Sequence, residues 1–437
     1  MKHHIKKLLP TWWYSFHHYS VALRGAIRYG FPSRKMIVIG VTGTKGKTSA
    51  INFIWSVLMA GGIKTGIITT ANIRIGNIEK LNPYHMTMPG RAMVQKLMAD
   101  MVSEGCKVCL VETTSEGMKQ SRHIGVVYDI AVFTNLTPEH IPSHGTFEKY
   151  KEAKGKLFAS LGKHYKFIDG KKIDSVIVAN TDSEHAQYYL GFKADKKITF
   201  GITSLADYRA DLIHETHDGV TFSVAGKLFT ISVLGGFNVY NALPAIAIGH
   251  LMNISDADIK KGLNSLTLIP GRMEVISEGQ PFMVIVDYAH EKQSITGVLT
   301  TANAMKKIGA KIIILLGAEG GGRDKAKRPI MGELAGKMAD YLVISNVDPY
   351  EDDPTEIVED IAVIAEKFGK VRNKDLFVIE DRRAGINKAL LLAKAGDVVL
   401  ITGKGAEQSM IVGEKSIPWD DRIIVKEELK KILSIQK

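Results

Sequence analysis

The spacing of apolar residues changes in character along the chain. Between Thr11 and Gly30 apolar residues recur at helical spacing, and polar and basic residues occupy another face. The apolar stripe consists of Trp12, Phe16, Tyr19, Leu23 and Ile27, and the polar face of His17, Ser20, Arg24 and Arg28. The pattern predicts an amphipathic helix whose aromatic stripe packs on the following domain, with attachment to an anionic membrane surface as the alternative.

From Lys35 onward, short β-branched runs alternate with helical segments. Strands are predicted over Met36–Val41, Thr65–Thr69, Lys107–Glu112 and Asp129–Thr134, with a helix over Lys47–Ala60. This alternation predicts a mostly parallel sheet covered by helices. The stretch from Ile198 to Leu234 is more strand-like.

After Pro270-Gly271 the alternation starts again. Further strands are predicted over Phe282–Asp287, Lys311–Gly317, Tyr341–Ser345, Leu376–Ile379 and Asp397–Thr402. We therefore predict an α/β protein in three parts: a basic amphipathic helical segment (residues 1–34), a central α/β domain (35–269) and a C-terminal Rossmann-like α/β domain (270–437).

Composition narrows the class of protein. Of the 437 residues, 45% are hydrophobic and 24% charged, which excludes a disordered or collagen-like chain. No apolar run is long enough for a membrane span and no signal segment is evident, so we expect a cytoplasmic protein. Cys106 and Cys109 form one Cys-x-x-Cys. We expect a structural role for them, because strand alternation would place them on opposite faces and zinc needs further ligands.

The positive charge is concentrated at one end. The net charge is +11, and +7 of it lies in the first 35 residues, which contain no Asp or Glu. The basic residues of that segment are Lys2, Lys6, Lys7, Arg24, Arg28, Arg34 and Lys35. The remainder is nearly neutral, which argues against a nucleic-acid-binding surface and predicts no nucleic-acid partner.

A glycine-rich loop joins the first predicted strand to the first long helix of the central domain. It reads Thr42-Gly43-Thr44-Lys45-Gly46-Lys47-Thr48. Glycines allow backbone N–H groups to approach phosphate oxygens, and the helix N-terminus favours negative charge. We expect Lys47 to reach the β- and γ-phosphates of ATP and Thr48 to bind Mg²⁺. The general Walker pattern wants glycine where this chain has Val41.

This loop and the blocks that follow it resemble the Mur ligases, most closely the MurE type, which are UDP-N-acetylmuramoyl-dipeptide:amino acid ligases of peptidoglycan synthesis. The matching blocks run in order through Glu112–Arg122, Thr134–His140, His144-Gly145, Tyr150–Lys154, Asn180–Asp182, Gly236–Asn241, Pro270–Glu274, Asp287–His290, Gly322–Pro329, Asp381-Arg382 and Gly403–Glu407. The resemblance implies a P-loop ATPase central domain and an ATP-dependent acid–amino-acid ligase.

In such ligases ATP phosphorylates a carboxylate of the acceptor, and the amine of the incoming amino acid attacks the acyl phosphate. By resemblance, Lys47, Glu112, His140 and Lys154 are catalytic, and Mg²⁺ is held by Thr48, Glu112, His140 and Lys154. Lys154 matches the lysine that the family carbamylates with CO₂. An ammonium cannot bind a metal, whereas the carbamate is anionic and can.

The resemblance also assigns binding residues. Nucleotide contacts are Gly43, Thr44, Lys45, Gly46, Lys47, Thr48, Asn238, Asn241, Arg272 and Asp287. Substrate contacts are Thr87, Thr114, Gln120 and Arg122 for the muramoyl-peptide-like acceptor, and Arg323, Asp348, Gly403 and Glu407 for the amino acid. Because Arg272 and Asp287 belong to the second domain, we expect domain closure to complete the nucleotide site.

The chain departs from the family at several points. Only residues 1–34 precede the first strand, where MurE-type members have a uridine-binding domain, so the acceptor is expected to lack UDP or to be held partly by Arg24 and Arg28. Tyr350 stands where diaminopimelate-adding members have a carboxylate-binding arginine. Glu116 and Ala406 each replace a histidine.

Two other functions stay open at this point. One is a ligase acting on a non-UDP acceptor, similar to folylpolyglutamate synthase or to poly-amino-acid synthesis. The other is a non-catalytic nucleotide-binding scaffold. For the N-terminal helix, the partner is expected to be a membrane surface or a cell-wall enzyme.

Overall fold

The computed structural model describes residues 11–84, 86–90, 92–138, 141–163, 165–216, 218–322 and 325–435, without the side chains of 11–16, 141 and 142. The chain divides into two compact units. The first comprises Met1–Ile213, Thr221–Ile231 and Asn238–Leu266, and the second His214–Val220, Ser232–Phe237 and Thr267–Lys437. The boundaries of the three predicted parts stay a prediction.

Nine helices are described up to Leu266. They are α1 (Thr11–Arg28), α2 (Lys47–Ala60), α3 (Met93–Ser103), α4 (Ser115–Lys119), α5 (Ile141–His144), α6 (Phe147–Ser160), α7 (Ala186–Leu190), α8 (Asn238–Leu251) and α9 (Asp256–Ser265). A short 3₁₀ helix, Pro32–Lys35, follows α1.

The strands of this part of the chain form one large sheet and a small hairpin. They are β1 (Ile37–Thr42), β2 (Thr65–Ile68), β3 (Asn72–Ile75), β4 (Ile78–Leu81), β5 (Val108–Glu112), β6 (Ile130–Phe133), β7 (Lys166–Ile168), β8 (Lys171–Ile173), β9 (Val176–Asn180), β10 (Lys196–Gly201), β11 (Tyr208–Thr216), β12 (Gly219–Val224) and β13 (Lys227–Ile231). The sheet has the order β13-β12-β11-β10-β9-β6-β1-β5-β2-β3-β4, and β7 pairs with β8 alone.

Strand β1 determines where a ligand would bind in this sheet. It pairs in parallel with β5 on one side and β6 on the other, with Val41 opposite Glu112 and Thr42 opposite Phe133. The chain leaves β1 towards β2 on the β5 side of the sheet, and it leaves β6 towards β9 on the other side. In parallel sheets, ligands bind at the carboxyl ends of the strands where the connections run in opposite directions. The glycine-rich loop lies at that edge.

The second unit contains its own sheet. Its helices are α10 (Lys292–Met305), α11 (Lys327–Met338), α12 (Pro354–Lys367), α13 (Arg382–Leu392) and α14 (Asp421–Ile435). Its strands are β14 (Glu274–Ile276), β15 (Met283–Asp287), β16 (Ile312–Leu316), β17 (Tyr341–Ile344), β18 (Leu376–Val378), β19 (Val398–Thr402), β20 (Ser409–Val412) and β21 (Lys415–Pro418). The main sheet has the order β14-β15-β19-β16-β17-β18, and β20 pairs with β21.

This second sheet is apolar on both faces. Ile312, Ile314 and Leu316 belong to the core on one face, and Ile313 and Leu315 to the core on the other. Both faces of a parallel strand are covered by helices, which explains its unbroken apolar run. The predicted α/β fold with two mostly parallel sheets and an N-terminal helix is confirmed.

The prediction for the two cysteines was wrong in one respect. Cys106 and Cys109 are both buried and unpaired, as a structural role requires. Cys106, however, precedes β5, so strand alternation does not apply to it, and both residues belong to the same apolar cluster. Burial raises the pKa of the Cys106 and Cys109 thiols, which makes both less reactive.

The predicted packing of α1 was also wrong for Tyr19 and Ile27, whereas it stays a prediction for Trp12 and Phe16, whose side chains lie outside the described part. The buried face of α1 consists of Ala22, Gly25 and Ala26, whereas Tyr19 is 45% and Ile27 61% exposed. A Cβ on Gly25 would lie 2.6 Å from the Cβ of Ala92, and one on Gly125 would lie 2.3 Å from the Cβ of Ala26. Close approach of the backbones therefore selects the small residues, and the described apolar stripe residues remain half-buried or exposed.

Within the part of the chain that the structure describes, no helix has the length and apolar character needed to cross a bilayer.

Candidate active site

The glycine-rich loop has the conformation that a phosphate-binding loop requires. Gly43 and Gly46 have φ angles of 152° and 81°. A Cβ at Gly43 would lie 2.0 Å from Thr134 Oγ1, and one at Gly46 2.2 Å from Asn241 Oδ1. Neither position can accept a side chain in this arrangement. The first-turn N–H groups of α2, which starts at Lys47, have no acceptor within the helix and favour an anion there.

Residues that follow β6 hold this loop in place. Asn135 accepts from the backbone N–H groups of Thr44 and Lys45, through its carbonyl and its side-chain Oδ1, both at 2.9 Å. Thr134 Oγ1 donates to the carbonyl of Lys45 at 2.7 Å. Thr44 Oγ1 lies 3.2 Å from the hydroxyl of Tyr150 on α6. The loop is thus fixed by the neighbouring strand and helix.

Two lysines meet at one carbonyl of the loop. Lys47 Nζ donates to Gly43 O at 3.1 Å and to Thr44 O at 2.8 Å. Lys154 Nζ donates to the same Gly43 O at 2.8 Å and lies 4.6 Å from the centre of the Tyr150 ring. Lys154 is only 2% exposed. Two of the predicted catalytic residues are therefore brought together.

The first predicted metal ligands are also neighbours. Thr48 Oγ1 donates to Glu112 Oε2 at 2.8 Å, and both residues are buried. Thr70, which follows β2, donates to Glu112 through its backbone N–H at 2.9 Å and its hydroxyl at 3.1 Å. A carboxylate and a hydroxyl beside a phosphate loop are the hard oxygen ligands that Mg²⁺ prefers, so these residues fit the metal.

The predicted acceptor contacts form a connected group next to Glu112. The hydroxyl oxygens of Thr70 and Thr87 lie 2.8 Å apart, within hydrogen-bonding distance. Arg122 donates to the carbonyl of Met88 at 2.6 Å and, through Nε, to Gln120 Oε1 at 3.1 Å. Thr114 caps α4 by accepting from the N–H of Gly117 at 3.0 Å. The structure brings these four predicted residues to the carboxyl edge of the sheet.

Glu116, which departs from the family, is part of this group. It accepts from Gln120 Nε2 at 2.6 Å through Oε1, and its Oε2 lies 3.9 Å from Nε2 of the buried His144. Burial lowers the pKa of His144, although the Glu116 carboxylate opposes this effect. The Glu116 substitution therefore places a negative charge beside Gln120 and Arg122.

The two predicted adenine-side residues lie at the start of α8. Asn241 Nδ2 donates to Asn238 Oδ1 at 2.7 Å, and both are buried. Asn241 also touches Gly46, the residue that caps α2. These residues therefore adjoin the phosphate loop.

The remaining predicted nucleotide residues lie in the second unit. The two carboxylate oxygens of Asp287 accept from the N–H groups of Met273 and Ala289, each at 2.7 Å. The guanidinium of Arg272 lies 4.4 Å from the centre of the Tyr288 ring. Asp287 thus shapes the turns at the end of β15 in addition to any role in ribose binding.

Predicted amino-acid contacts meet at the carboxyl edge of the second sheet. Lys404 Nζ donates to Asp348 Oδ2 at 2.8 Å and to Glu407 Oε2 at 2.7 Å. Burial lowers the pKa of Lys404, but the charges of Glu407 and Asp348 outweigh it and raise the pKa above its ordinary value. Gly403 has a φ of 114° and follows β19 directly. Its N–H donates to Asp287 O at 3.2 Å.

Tyr350 lies next to this group. Its backbone φ is 54°, and a Cβ on Gly321 would come within 2.7 Å of its ring. The ring therefore packs over Gly321. Tyrosine cannot form the two parallel hydrogen bonds by which arginine binds a carboxylate.

Two predicted residues, His140 and Arg323, lie outside the described residues. Sequence reasoning gave no role to Thr70, Tyr150 or Lys404. Thr70 was detectable in principle, because it follows a parallel strand at the edge where ligands bind. No sequence pattern pointed to Lys404, because its contacts are with two carboxylates, those of Asp348 and Glu407, that lie in different loops.

Comparison with known proteins agrees with this geometry. A family model of the Mur ligase middle domain matches residues 41–249, and one described as the Mur ligase, glutamate ligase domain matches residues 271–405. A UDP-N-acetylmuramoyl-L-alanyl-D-glutamate–2,6-diaminopimelate ligase of Geobacillus thermodenitrificans is 37% identical over 92% of this chain and 81% of its own length. A UDP-N-acetylmuramyl-tripeptide synthetase of a Roseiflexus species is 35% identical over 92% and 80%.

Solved structures show the same fold. The structure of a UDP-N-acetylmuramoyl-L-alanyl-D-glutamate–2,6-diaminopimelate ligase has a TM-score of 0.60 and 28% identity, covering 91% of this chain and 79% of that chain. Folylpolyglutamate synthase of Mycobacterium tuberculosis, solved with ADP and AMPPCP, has a TM-score of 0.70 at 16% identity and covers 94% of both chains. At that identity the second likeness concerns the fold alone.

Proposed function

The chain belongs to the Mur ligase family, and from this premise we propose that it is an ATP-dependent ligase of peptidoglycan precursor synthesis. It joins the amine of an amino acid to a carboxylate of a muramoyl-peptide-like acceptor through an acyl phosphate. The observation that carries the proposal is the meeting of the phosphate loop, the Thr48 and Glu112 pair and the buried Lys154 at one edge of the sheet.

Each residue has a defined part in this reaction. Lys47 and the N-terminus of α2 bind the β- and γ-phosphates of ATP. Thr48 and Glu112 would hold Mg²⁺, which would supply positive charge beside the phosphates of ATP. Arg122 and Gln120 orient the acceptor, so that its carboxylate lies near the phosphoryl group. Asn238 and Asn241 are proposed to bind on the adenine side, and Arg272 and Asp287 are proposed as nucleotide contacts because the family resemblance implies them.

We propose that Lys154 carries a carbamate formed from CO₂. An amine must lose its proton before it can add CO₂, and burial disfavours a charged amine. Lys154 is buried, and its Nζ lies within hydrogen-bonding distance of the phosphate loop. A carbamate there supplies an anionic oxygen ligand, together with Glu112 and His140, for a cation at the phosphates.

The amino acid is recognised at the edge of the second sheet. We propose Asp348, Gly403 and Glu407 as its contacts, together with Arg323, with Lys404 fixing the two carboxylates. Since Tyr350 takes the place of a carboxylate-binding arginine, the proposed substrate is an amino acid whose side chain is not held by a bidentate arginine.

The reaction is proposed to take place in the cytoplasm, with small-molecule substrates and no nucleic acid. Outside the reaction, the N-terminal helix is proposed to make a peripheral contact with a membrane or a cell-wall enzyme. Its exposed Tyr19 and Ile27 support such a contact.

A screen of ADP release tests the proposed function. The purified protein with ATP and Mg²⁺ is offered UDP-muramoyl dipeptide, or the same dipeptide without the uridine group, with each amino acid in turn, including meso-diaminopimelate. We expect ADP release that depends on one acceptor and one amino acid together. Turnover with folate and glutamate instead, or with no pair at all, would overturn the proposal.

A further inference from the structure

We propose that α1 and the hairpin of β7 and β8 form one surface that binds an anionic lipid membrane. This inference deepens the peripheral contact proposed for the N-terminal helix, and it commits to lipid as the partner. We call the surface, made of the exposed side chains of residues 19–35 and 165–172, the basic-aromatic face.

The first part of the basic-aromatic face is the outer side of α1. Its inner side is closed by Ala22, Gly25 and Ala26, so the larger apolar residues Tyr19 and Ile27 are turned to solvent. Arg24 and Arg28 are exposed on the same helix. A helix that buries its smallest residues and exposes larger apolar ones beside arginines has the composition of an interfacial helix.

The second part is the hairpin of β7 and β8, in which a lysine side chain is buried and two aromatic side chains are exposed. Lys166 points inward, is buried, and pairs with Asp129 at 2.5 Å. Its neighbours Tyr165 and Phe167 are 81% and 62% exposed. Burying a lysine while exposing two aromatic side chains is unfavourable in water unless another phase covers the aromatic rings.

A network of contacts in the first unit joins the two parts. Lys166 Nζ donates to the carbonyls of Ser33, at 2.8 Å, and Val127, at 3.0 Å. Ser33 Oγ donates to the carbonyl of Gly125 at 3.1 Å, and Gly125 packs against Ala26 of α1. The buried lysine therefore fixes the hairpin next to the end of the helix.

The positive charge of the basic-aromatic face favours an anionic partner. Exposed basic residues lie on both parts, at Arg24, Arg28, Arg34, Lys35, Lys171 and Lys172. Asp169 is the one carboxylate among residues 19–35 and 165–172. Aromatic rings at headgroup level with surrounding cations fit a phospholipid layer of negative charge, which attracts basic residues within a Debye length.

Vesicle co-sedimentation of the full chain tests this surface. We expect binding to vesicles of phosphatidylcholine and phosphatidylglycerol, weakened by salt, and no binding to phosphatidylcholine alone. Arg24→Glu with Arg28→Glu is expected to lower the partition coefficient roughly tenfold or more. Tyr165→Ser with Phe167→Ser is expected to lower it by a similar factor, because it removes the apolar anchor.

Matched variants serve as controls. Lys260→Glu with Lys261→Glu reverses two exposed charges on α9, and Leu205→Ser with Leu228→Ser removes two exposed apolar side chains elsewhere. Both are expected to bind like the unchanged protein. Binding that is absent, or equally strong in all variants, would overturn the proposal, as would a face that instead joins two copies of the chain. Vesicle binding needs no nucleotide or acceptor, so its failure leaves the proposed ligase activity standing.

Discussion

The carbonyl oxygen of Gly43 is the shared acceptor of two proposed catalytic residues. It accepts from both Lys47 and Lys154, although these residues are more than a hundred positions apart in the sequence. Lys154 lies within a lysine-rich run, Lys149 to Lys156, and resembles a surface residue in the sequence, yet it is buried. Its burial supports the role implied by the family resemblance, which spacing alone did not establish.

Replacing Lys154 is predicted to abolish ligation without loss of the fold. Lys154→Ala should lower the rate of acceptor-dependent ADP release by at least about a hundredfold, because a ligand of the charge-stabilising cation is removed. The matched control is Lys156→Ala, on the same helix but exposed. Carbon-13 NMR with labelled bicarbonate should show a carbamate signal in the unchanged protein and in the control. Normal turnover of Lys154→Ala would contradict the catalytic role.

Lys404 is predicted to be a stabilising residue as well as an organiser of the amino-acid site. Lys404→Met leaves two carboxylates, Asp348 and Glu407, without their shared cation. The loss is expected to cost about 3–5 kcal/mol in the second unit. Thermal unfolding should therefore begin at a clearly lower temperature, whereas Lys415→Met, on an exposed strand, should unfold like the unchanged protein. An unaltered melting curve for Lys404→Met would refute this role.

At the scale of elements, the order of strand, loop and helix around residue 43 was predictable because residues close in the sequence determine each of these elements. β-branched residues form β1, glycines permit the positive φ angles of the loop, and Lys47–Ala60 has the length and composition of a buried helix. The missing Walker glycine at Val41 has no consequence for the fold, because that residue lies within β1 and is buried.

The glycines of the loop give a prediction with an internal control. Gly46→Ala should abolish ATP binding, measured by calorimetry with the non-hydrolysable analogue AMPPCP, because its Cβ would collide with Asn241. Gly62→Ala introduces the same side chain at a similar φ of 77°, where nothing lies within 4 Å. It should destabilise the protein slightly and bind the analogue normally. Equal binding by both variants would show that the loop does not form the proposed site.

In α1, sequence reasoning was wrong about the packing of Tyr19 and Ile27, which are exposed. Periodicity identifies the apolar stripe but does not decide which face packs, since that depends on how closely two backbones can approach. At Gly25 and Ala92 the backbones approach so closely that a Cβ on Gly25 would lie 2.6 Å from the Cβ of Ala92. The hairpin strand β7 shows the same dependence on the fold, because Lys166 is buried against Asp129 while Phe167 is exposed.

At the scale of the whole molecule, the chain consists of two α/β units, each with a mostly parallel sheet and with residues proposed to bind ligands at its carboxyl edge. The resemblance predicted this architecture because its motifs are distributed along nearly the entire chain. The surroundings of the two departures from the family were less predictable, since Glu116 contacts Gln120 and Tyr350 packs on Gly321 only once the chain has folded.

The central claim is that the chain activates a carboxylate as an acyl phosphate. The most direct measurement uses the acceptor that supports ADP release, labelled with oxygen-18 in its carboxylate, and follows the inorganic phosphate by mass spectrometry. The proposed mechanism predicts that one labelled oxygen passes to phosphate for each amide bond formed. Amide product accompanied by unlabelled phosphate, or phosphate released without any amide, would contradict it.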